Sequence, residues 1–251
     1  MLKLCNVRTK DGLQLYGTLH KANTLKKSIV VISHGYFSSN RLGPHRLYYQ
    51  IADQLKNNGY NVIRFDLRGM GESDGSIENV KYSDHVSDLE TILSVFRQRF
   101  NDASIILIAH CIGCNVSLPI IEKHPEYFDK VIFVSPYFTT QSTINAFFDN
   151  GQQAELYTMG YTYRKGIYAD LSFFQGINEF LKFTDLTRKH NDLITVISAV
   201  EDQFISSSDI KNFYDSTEQT PILIEKADHN YLDRYSRKEL ISKILEIIQE
   251  K

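Results

Sequence analysis

Short apolar runs rich in β-branched residues alternate along this chain with longer segments whose apolar residues recur at helical spacing. Such alternation is typical of a mainly parallel β-sheet with helices on both faces. An antiparallel hairpin, residues 2–8 and 13–20, is predicted to come first. The pattern then predicts parallel strands at 28–33, 61–66, 104–109, 130–135, 193–199 and 221–225. It predicts helices at 46–57, 82–100, 112–123, 206–215 and 237–249.

One connection between predicted strands does not fit this alternation. A chain of 251 residues with 42% hydrophobic residues can bury one sizeable core, which predicts a single domain over residues 1–251. The stretch from about 137 to 191 is too long for a simple loop, so it predicts an inserted helical cap. Its aromatic residues, including Phe147, Phe180 and Phe183, would either line an apolar acyl or aryl pocket or dock the cap on the main domain.

Charge and cysteine content exclude several classes of partner. A formal net charge of -2 provides no basic field for nucleic acid or for an anionic membrane. No segment reaches the roughly 20 apolar residues that span a bilayer, and the N-terminus lacks the apolar core of a signal peptide. Three cysteines, Cys5, Cys111 and Cys114, are too few for a disulfide framework. We therefore expect a cytoplasmic protein.

The most informative motif is Ala109-His110-Cys111-Ile112-Gly113, where an apolar strand runs into a turn of small residues and then a helix. It resembles the nucleophile elbow, Gly-x-Ser-x-Gly, of the α/β-hydrolase family, with alanine for the first glycine and cysteine for the serine. Small flanking residues are needed because the turn brings the strand and helix backbones close together. The resemblance implies an α/β-hydrolase fold, α/β in class, with Cys111 as nucleophile. Unpaired N–H groups at the helix start would favour its thiolate.

Two later strand ends carry residues that match the rest of the family's catalytic pattern. In α/β-hydrolases the acid follows the strand after the cap and the histidine follows the last strand. The resemblance therefore implies Asp202 as the acid and His229 as the base, and the carboxyl ends of parallel strands would bring them to Cys111. Glu201 is the rival for the acid, and Asp228 is predicted to be a loop residue.

A His-Gly pair follows the first predicted parallel strand. The segment Ser33-His34-Gly35-Tyr36 resembles the oxyanion loop of α/β-hydrolases. By that resemblance the backbone N–H groups of Tyr36 and Ile112 would form the oxyanion hole, and His34 would be structural.

A glycine-rich segment follows the next predicted strand. Residues 66–73 are similar to the Asp-x-Arg-Gly-x-Gly-x-Ser segment of many α/β-hydrolases. Here Asp66 and Arg68 are predicted to form a local ion pair with a structural role.

The run from 33 to 75 resembles the feruloyl and cinnamoyl esterase branch of the family, which acts on small aryl esters beneath an inserted lid. Motif resemblance covers about 27–135 and 193–250. A thiol nucleophile favours thioesters, lactones and activated aryl esters, so we expect a thioesterase, an esterase or an acyltransferase with an acyl-cysteine intermediate. The acyl group would be free or carried on coenzyme A or an acyl carrier protein. Arg164 and Lys165 fit either an anionic carrier or a solvated edge.

Other functions remain open at this point. Cys111-Ile112-Gly113-Cys114 is also a Cys-x-x-Cys motif between a strand and a helix, which would suit a dithiol redox protein. A homologue that binds ligands without catalysis is a third possibility, and an engineered replacement of serine by cysteine would give the same elbow. No metal or organic cofactor is implied, since a zinc site needs further Cys or His pairs. The acyl group, the acceptor and the oligomeric state are not specified.

Overall fold

In the computed structural model of the protein, the described residues are 1–23, 26–36, 40–180 and 183–250, and the side chains of 178–180 fall outside the description. Within these residues, eight strands form one sheet: β1 (Leu2–Arg8), β2 (Gln14–His20), β3 (Ile29–Ser33), β4 (Asn61–Phe65), β5 (Ile105–His110), β6 (Phe128–Val134), β9 (Ile194–Ala199) and β10 (Ile222–Ile224). Their order across the sheet is β1-β2-β4-β3-β5-β6-β9-β10.

The sheet is antiparallel at one edge and parallel elsewhere. β2 pairs antiparallel with β1 and with β4, whereas the other neighbours in this sheet, from β4 through β3, β5, β6 and β9 to β10, pair in parallel. Every residue of β3, β4 and β5 is buried, as expected for strands covered by helices on both faces. The predicted α/β-hydrolase fold and its strand order along the chain are confirmed.

Helices on the two faces of the sheet enclose two apolar clusters. On β5, Ile105, Leu107 and Ala109 belong to one cluster, and Ile106 and Ile108 belong to the other. The first cluster includes residues of α2 (Tyr82–Arg99) and α3 (Ile112–Lys123), and the second those of α1 (Leu47–Asn57) and α9 (Arg234–Gln249). This period-two alternation fixes the register of the strand because a shift of one residue would exchange the two faces.

Between β6 and β9 lies an inserted segment, defined as residues 140–189. It contains α4 (Thr140–Phe147), α5 (Asn150–Met159), β7 (Tyr161–Arg164), β8 (Ile167–Asp170), α6 (Leu171–Phe180) and α7 (Phe183–Lys189), and α8 (Ser207–Thr217) follows β9. The sequence predicted helices alone here, but β7 and β8 form an antiparallel hairpin. Its turn, Lys165-Gly166, has φ angles of 51° and 80°, which suit a two-residue hairpin loop. The side chain of Phe180 lies outside the described residues.

The glycine-rich segment after β4 forms ion pairs that differ from the predicted one. Asp66 pairs with Arg41 and accepts its backbone N–H at 2.6 Å, whereas Arg68 pairs with Asp88 at 2.7 Å and with Asp11 at 2.8 Å. The predicted Asp66–Arg68 ion pair is therefore wrong. Beyond β4 the chain turns at Gly69, whose φ is 71°, and the Arg68 guanidinium reaches α2 instead.

Among the helices of the described residues, none is both long enough and apolar enough to cross a bilayer.

Candidate active site

Cys111 occupies a sharp turn between β5 and α3. Its φ and ψ of 60° and -134° are unusual for a residue other than glycine, and its N–H donates to the carbonyl of Val134 at 3.0 Å. A Cβ added to Gly113 would lie 2.5 Å from the backbone oxygen of His34, so only glycine fits there. The second small residue of the elbow is thus required by close backbone contact, as the sequence predicted.

His229 and Asp202 meet at the carboxyl edge of the sheet. The Nδ1–H of His229 donates to Oδ2 of Asp202 at 2.8 Å, and their side chains are 4% and 0% exposed. The other carboxylate oxygen, Oδ1, accepts the backbone N–H groups of Phe204 at 2.8 Å and Ile205 at 3.1 Å. Glu201, the rival for the acid, is exposed. Asp202 is therefore the carboxylate that orients the imidazole.

The remaining ring nitrogen of His229 is buried and faces Cys111. Among the described residues, Nε2 makes no hydrogen bond of normal geometry, and Cys111 is the side chain that acts on it. Burial alone would disfavour the imidazolium, but the Cys111 thiolate and the Asp202 carboxylate together raise the pKa of His229 to about 10. The ring therefore holds a proton whenever the sulfur is ionised. Such an imidazolium–thiolate pair supplies both a nucleophile and a proton donor.

His110, next to Cys111, had no predicted role, yet it connects the elbow to the loop that carries His229. Its Nε2–H donates to the backbone oxygen of His229 at 2.9 Å, and its Nδ1 accepts the hydroxyl of Tyr48 at 2.8 Å. Burial lowers the pKa of His110 to about 3, so the ring stays neutral. A polar residue at the end of an otherwise apolar strand was the signal for this role.

Tyr137, just beyond β6, is a second neighbour that the sequence analysis missed as a site residue. Its ring centroid lies 5.5 Å from that of His229, and the side chain is only 1% exposed. The hydroxyl has no hydrogen-bond partner among the described residues. Burial and the nearby Cys111 thiolate raise the pKa of Tyr137 well above its usual range, so it remains a potential donor.

The predicted oxyanion loop lies directly against Cys111. A Cβ added to Gly35 would lie 2.9 Å from the Cβ of Cys111, so the backbone before Tyr36 is in contact with the elbow. Ile112 begins α3, where N–H groups have no partner within the helix. The residues predicted to supply the two donors, Tyr36 and Ile112, therefore flank Cys111.

His34 is buried and hydrogen-bonded at both ring nitrogens. Its Nε2 accepts the N–H of Leu67 at 3.0 Å, and its Nδ1–H donates to the backbone oxygen of Gly35 at 2.6 Å. Burial lowers its pKa, so the ring is neutral. Its contacts are structural, as predicted.

Cys114 is fully buried in the first turn of α3. Its thiol donates to the backbone oxygen of Ala109 at 3.2 Å, and burial raises its pKa well above the usual range. Both cysteines of the Cys-x-x-Cys motif are free thiols. The geometry therefore gives Cys114 a packing role beside the more accessible Cys111.

A pocket of about 690 Å³ opens above Cys111 and His229. Phe147 of α4 and Arg164 of the β7–β8 hairpin form its wall on the side of the inserted segment, and Phe204 lies between this wall and His229. Within the part of the chain that the structure describes, no group of three His, Cys, Asp or Glu side chains is arranged to hold a metal ion. The pocket has the size of a small-molecule site, and Cys111 is one of the residues that line it.

This chain is similar in sequence to one protein family and to several curated proteins. Residues 24–165 match the serine aminopeptidase S33 family. The probable lysophospholipase BODYGUARD 2 of Arabidopsis thaliana is 26% identical over 167 residues, which is 65% of this chain and 33% of that protein. The monoglyceride lipase of Mus musculus is 28% identical over 130 residues, 50% of this chain and 40% of that protein. The chain thus spans about a third to two fifths of these relatives.

Solved structures share the fold along nearly the whole chain. Est1E from Butyrivibrio proteoclasticus, with bound ferulic acid, has a TM-score of 0.80 and 15% sequence identity, and the match covers 98% of this chain and 100% of that one. At this identity the likeness shows the fold alone. The predicted place in the feruloyl and cinnamoyl esterase branch gains no support from it.

Proposed function

We propose that this chain, which belongs to the serine aminopeptidase S33 family of α/β-hydrolases, cleaves thioesters or activated esters through an acyl-cysteine intermediate at Cys111. Membership of that family makes it a hydrolase of the α/β-hydrolase type. The observation that carries the finer proposal is the buried Nε2 of His229, which Asp202 orients and which faces the Cys111 sulfur. Two curated relatives are named as a lysophospholipase and a lipase, which is consistent with ester substrates.

The first chemical step is attack by the thiolate of Cys111 on the substrate carbonyl carbon. A carbon–sulfur bond forms, and the carbonyl electron pair moves to the oxygen. The backbone N–H groups of Tyr36 and Ile112 stabilise this oxyanion, since both residues border the sulfur. Fixed backbone donors stabilise the transition state without reorganising during the reaction.

The tetrahedral intermediate then expels its leaving group, and water later releases the acyl group from the resulting acyl-cysteine. The imidazolium of His229 gives its Nε2 proton to the departing oxygen or sulfur, which leaves an acyl thioester on Cys111. The neutral ring next takes a proton from water, whose oxygen attacks the acyl carbon and expels the thiolate as the acid is released. Asp202 keeps its charge throughout and stabilises the imidazolium. Thioesters and activated esters suit this mechanism because their leaving groups depart with less help from the His229 proton than an amide would need.

We also propose that the inserted segment acts as a cap over the site. Phe147 and Arg164 come from this segment and line the pocket that holds Cys111. A cap that excludes water while admitting an alcohol, amine or thiol would turn hydrolysis into acyl transfer. If the substrate is a thioester, its acyl group would be carried on coenzyme A or on an acyl carrier protein.

The proposed function is tested by intact mass spectrometry after mixing the protein with short acyl and aryl thioesters. A single acyl adduct is expected, mapped to Cys111 and absent from Cys111→Ala, together with steady release of the free thiol. Cys5→Ala is the matched control, because Cys5 lies on β1 outside the pocket. A loss of two mass units on mild oxidation would favour a Cys111–Cys114 redox pair, and binding with neither product would favour a ligand-binding protein.

The pH dependence of turnover follows from the state of His229. Because its pKa is raised from 6.5 to about 10, the proton donor is present at neutral pH and is lost only as pH rises through about 10. We expect kcat/KM for an alkyl thioester to fall across that range, after correction for spontaneous hydrolysis. An aryl thioester is the control, since its leaving group needs no proton and its alkaline decline should be smaller. A decline near pH 6.5 would contradict the ion pair.

A further inference from the structure

The pocket above Cys111 concentrates positive charge although the chain as a whole has a net charge of -2. Arg46, Arg164 and Lys165 all line it, and no aspartate or glutamate is among its described lining residues. The nearest carboxylate of the site, Asp202, is fully buried behind His229 and is engaged by that ring. A low-dielectric wall around charges of one sign strengthens their attraction for an ion of the other sign.

Arg164 is half-buried, whereas the other two cations of the pocket, Arg46 and Lys165, are exposed. Its guanidinium lies 5.0 Å from the ring centroid of Phe147 and 5.4 Å from that of Phe204, and Phe204 is in edge contact with His229. Burial lowers the pKa of Arg164, whereas electrostatic interactions with Tyr137 and Cys111 raise it, so the side chain lies within electrostatic reach of both.

The position of Arg164 is fixed by its hairpin. Arg164 ends β7 opposite Ile167, directly before the tight Lys165-Gly166 turn. The side-chain amide of Gln152 donates to the backbone oxygen of Tyr163 at 2.8 Å and joins the hairpin to α5. The hairpin fixes the backbone of Arg164, and the rings of Phe147 and Phe204 under its guanidinium further limit the side chain. The planar guanidinium suits carboxylate and phosphate oxygens.

We propose that Arg164 forms an anion subsite, so that the ester or thioester cleaved at Cys111 carries a carboxylate or phosphate group. The proposal rests on the proposed function because it takes Cys111 as the reacting atom. It narrows the substrate class from thioesters and activated esters in general to those that carry an anionic group. The anion belongs either to the acyl group or to the leaving group, and separate substrate pairs distinguish the two.

The first test needs no acyl chemistry, so it stands even if no ester is cleaved. Cys111 is alkylated with iodoacetate or with neutral iodoacetamide, and peptide mass mapping separates it from Cys5 and Cys114. In Arg164→Gln the ratio of the iodoacetate rate to the iodoacetamide rate is expected to fall about tenfold, because one charge-assisted contact is lost. An effect of Arg164 on the thiolate itself would change both rates equally and leave the ratio unchanged.

Two variants serve as controls for the alkylation experiment. Arg188→Gln changes the net charge equally at an exposed residue outside the pocket, so its ratio should match wild type. Arg164→Lys keeps the charge and should recover part of the ratio. An unchanged ratio in Arg164→Gln, with a wild-type melting curve, would overturn the anion subsite.

The second test uses matched substrates. One pair is 4-nitrophenyl hydrogen adipate and its methyl ester, and the other is butyryl-coenzyme A and S-butyryl-N-acetylcysteamine. Arg164→Gln should lower the kcat/KM preference for the anionic member of one pair about tenfold, which identifies the acyl or the leaving-group side. Turnover of both pairs with no change of preference would reject the subsite and keep the proposed function. A changed alkylation ratio with no turnover of either substrate pair would reject the proposed function and keep the anion subsite.

Discussion

Replacement of His229 by alanine is expected to lower kcat/KM for a thioester about a thousandfold or more. The variant loses the counterion of the thiolate, the donor to the leaving group and the base that activates water. With an activated aryl thioester at pH 9, acylation should continue slowly while deacylation nearly stops. The acyl adduct on Cys111 should then accumulate, and intact mass spectrometry together with steady-state kinetics would measure both effects.

The matched control for this substitution is His124→Ala. His124 is half-buried and follows the last residue of α3, at the opposite end of that helix from Cys111. It stacks on Tyr127, contacts Glu90 and does not line the pocket. Its loss should change kcat/KM less than twofold. If His229→Ala kept more than a tenth of wild-type activity with a normal fold, the base would lie elsewhere and the orienting contact with Asp202 would have no catalytic meaning.

The sequence was sufficient for the parts of the site that follow from topology. Parallel strands place their carboxyl ends on one edge, so the residues after β5, β9 and β10 had to converge. Asp202 could be preferred to Glu201 by position, and the structure gives the physical reason. Asp202 accepts two backbone N–H groups within its own turn, which points its other oxygen at His229 and leaves Glu201 exposed.

Contacts made across the fold were out of reach of sequence patterns. The roles of His110, Tyr137 and Arg164 depend on which neighbour lies within a few ångströms, and helical or strand spacing carries no such information. The β7–β8 hairpin was missed because its strands are only four residues each and lie within a run of helical patterns. The Asp66–Arg68 pair was wrong for the same reason, since nearness in sequence did not decide the partner.

Replacement of Arg68 by methionine is expected to destabilise the protein by about 3–5 kcal/mol, because it leaves a buried carboxylate without its cation. Asp88 is 0% exposed, and the Arg68 guanidinium donates to it from Nη2 at 2.7 Å and from Nε at 3.0 and 3.1 Å. Methionine keeps the apolar stem, so packing changes little. Urea unfolding would measure the loss against Arg188→Met, whose exposed pair with Asp185 should contribute less than about 0.5 kcal/mol.

The pH dependence of the destabilisation distinguishes loss of the Arg68 charge from loss of the packing of its side chain. Burial already raises the pKa of Asp88 despite Arg68, and without the guanidinium only the backbone N–H of residue 68 still opposes that shift. The folded variant then binds a proton more tightly than the unfolded chain, so its penalty should be smallest in acid and grow as pH rises. Urea unfolding at pH 5 and at pH 8 would measure the penalty of Arg68→Met at the two ends of this range.

The double variant Arg68→Met/Asp88→Leu should recover most of the stability at pH 8, because an apolar pair replaces the ionic one. An equal penalty at both pH values, with no recovery in the double variant, would assign the loss to packing of the arginine stem.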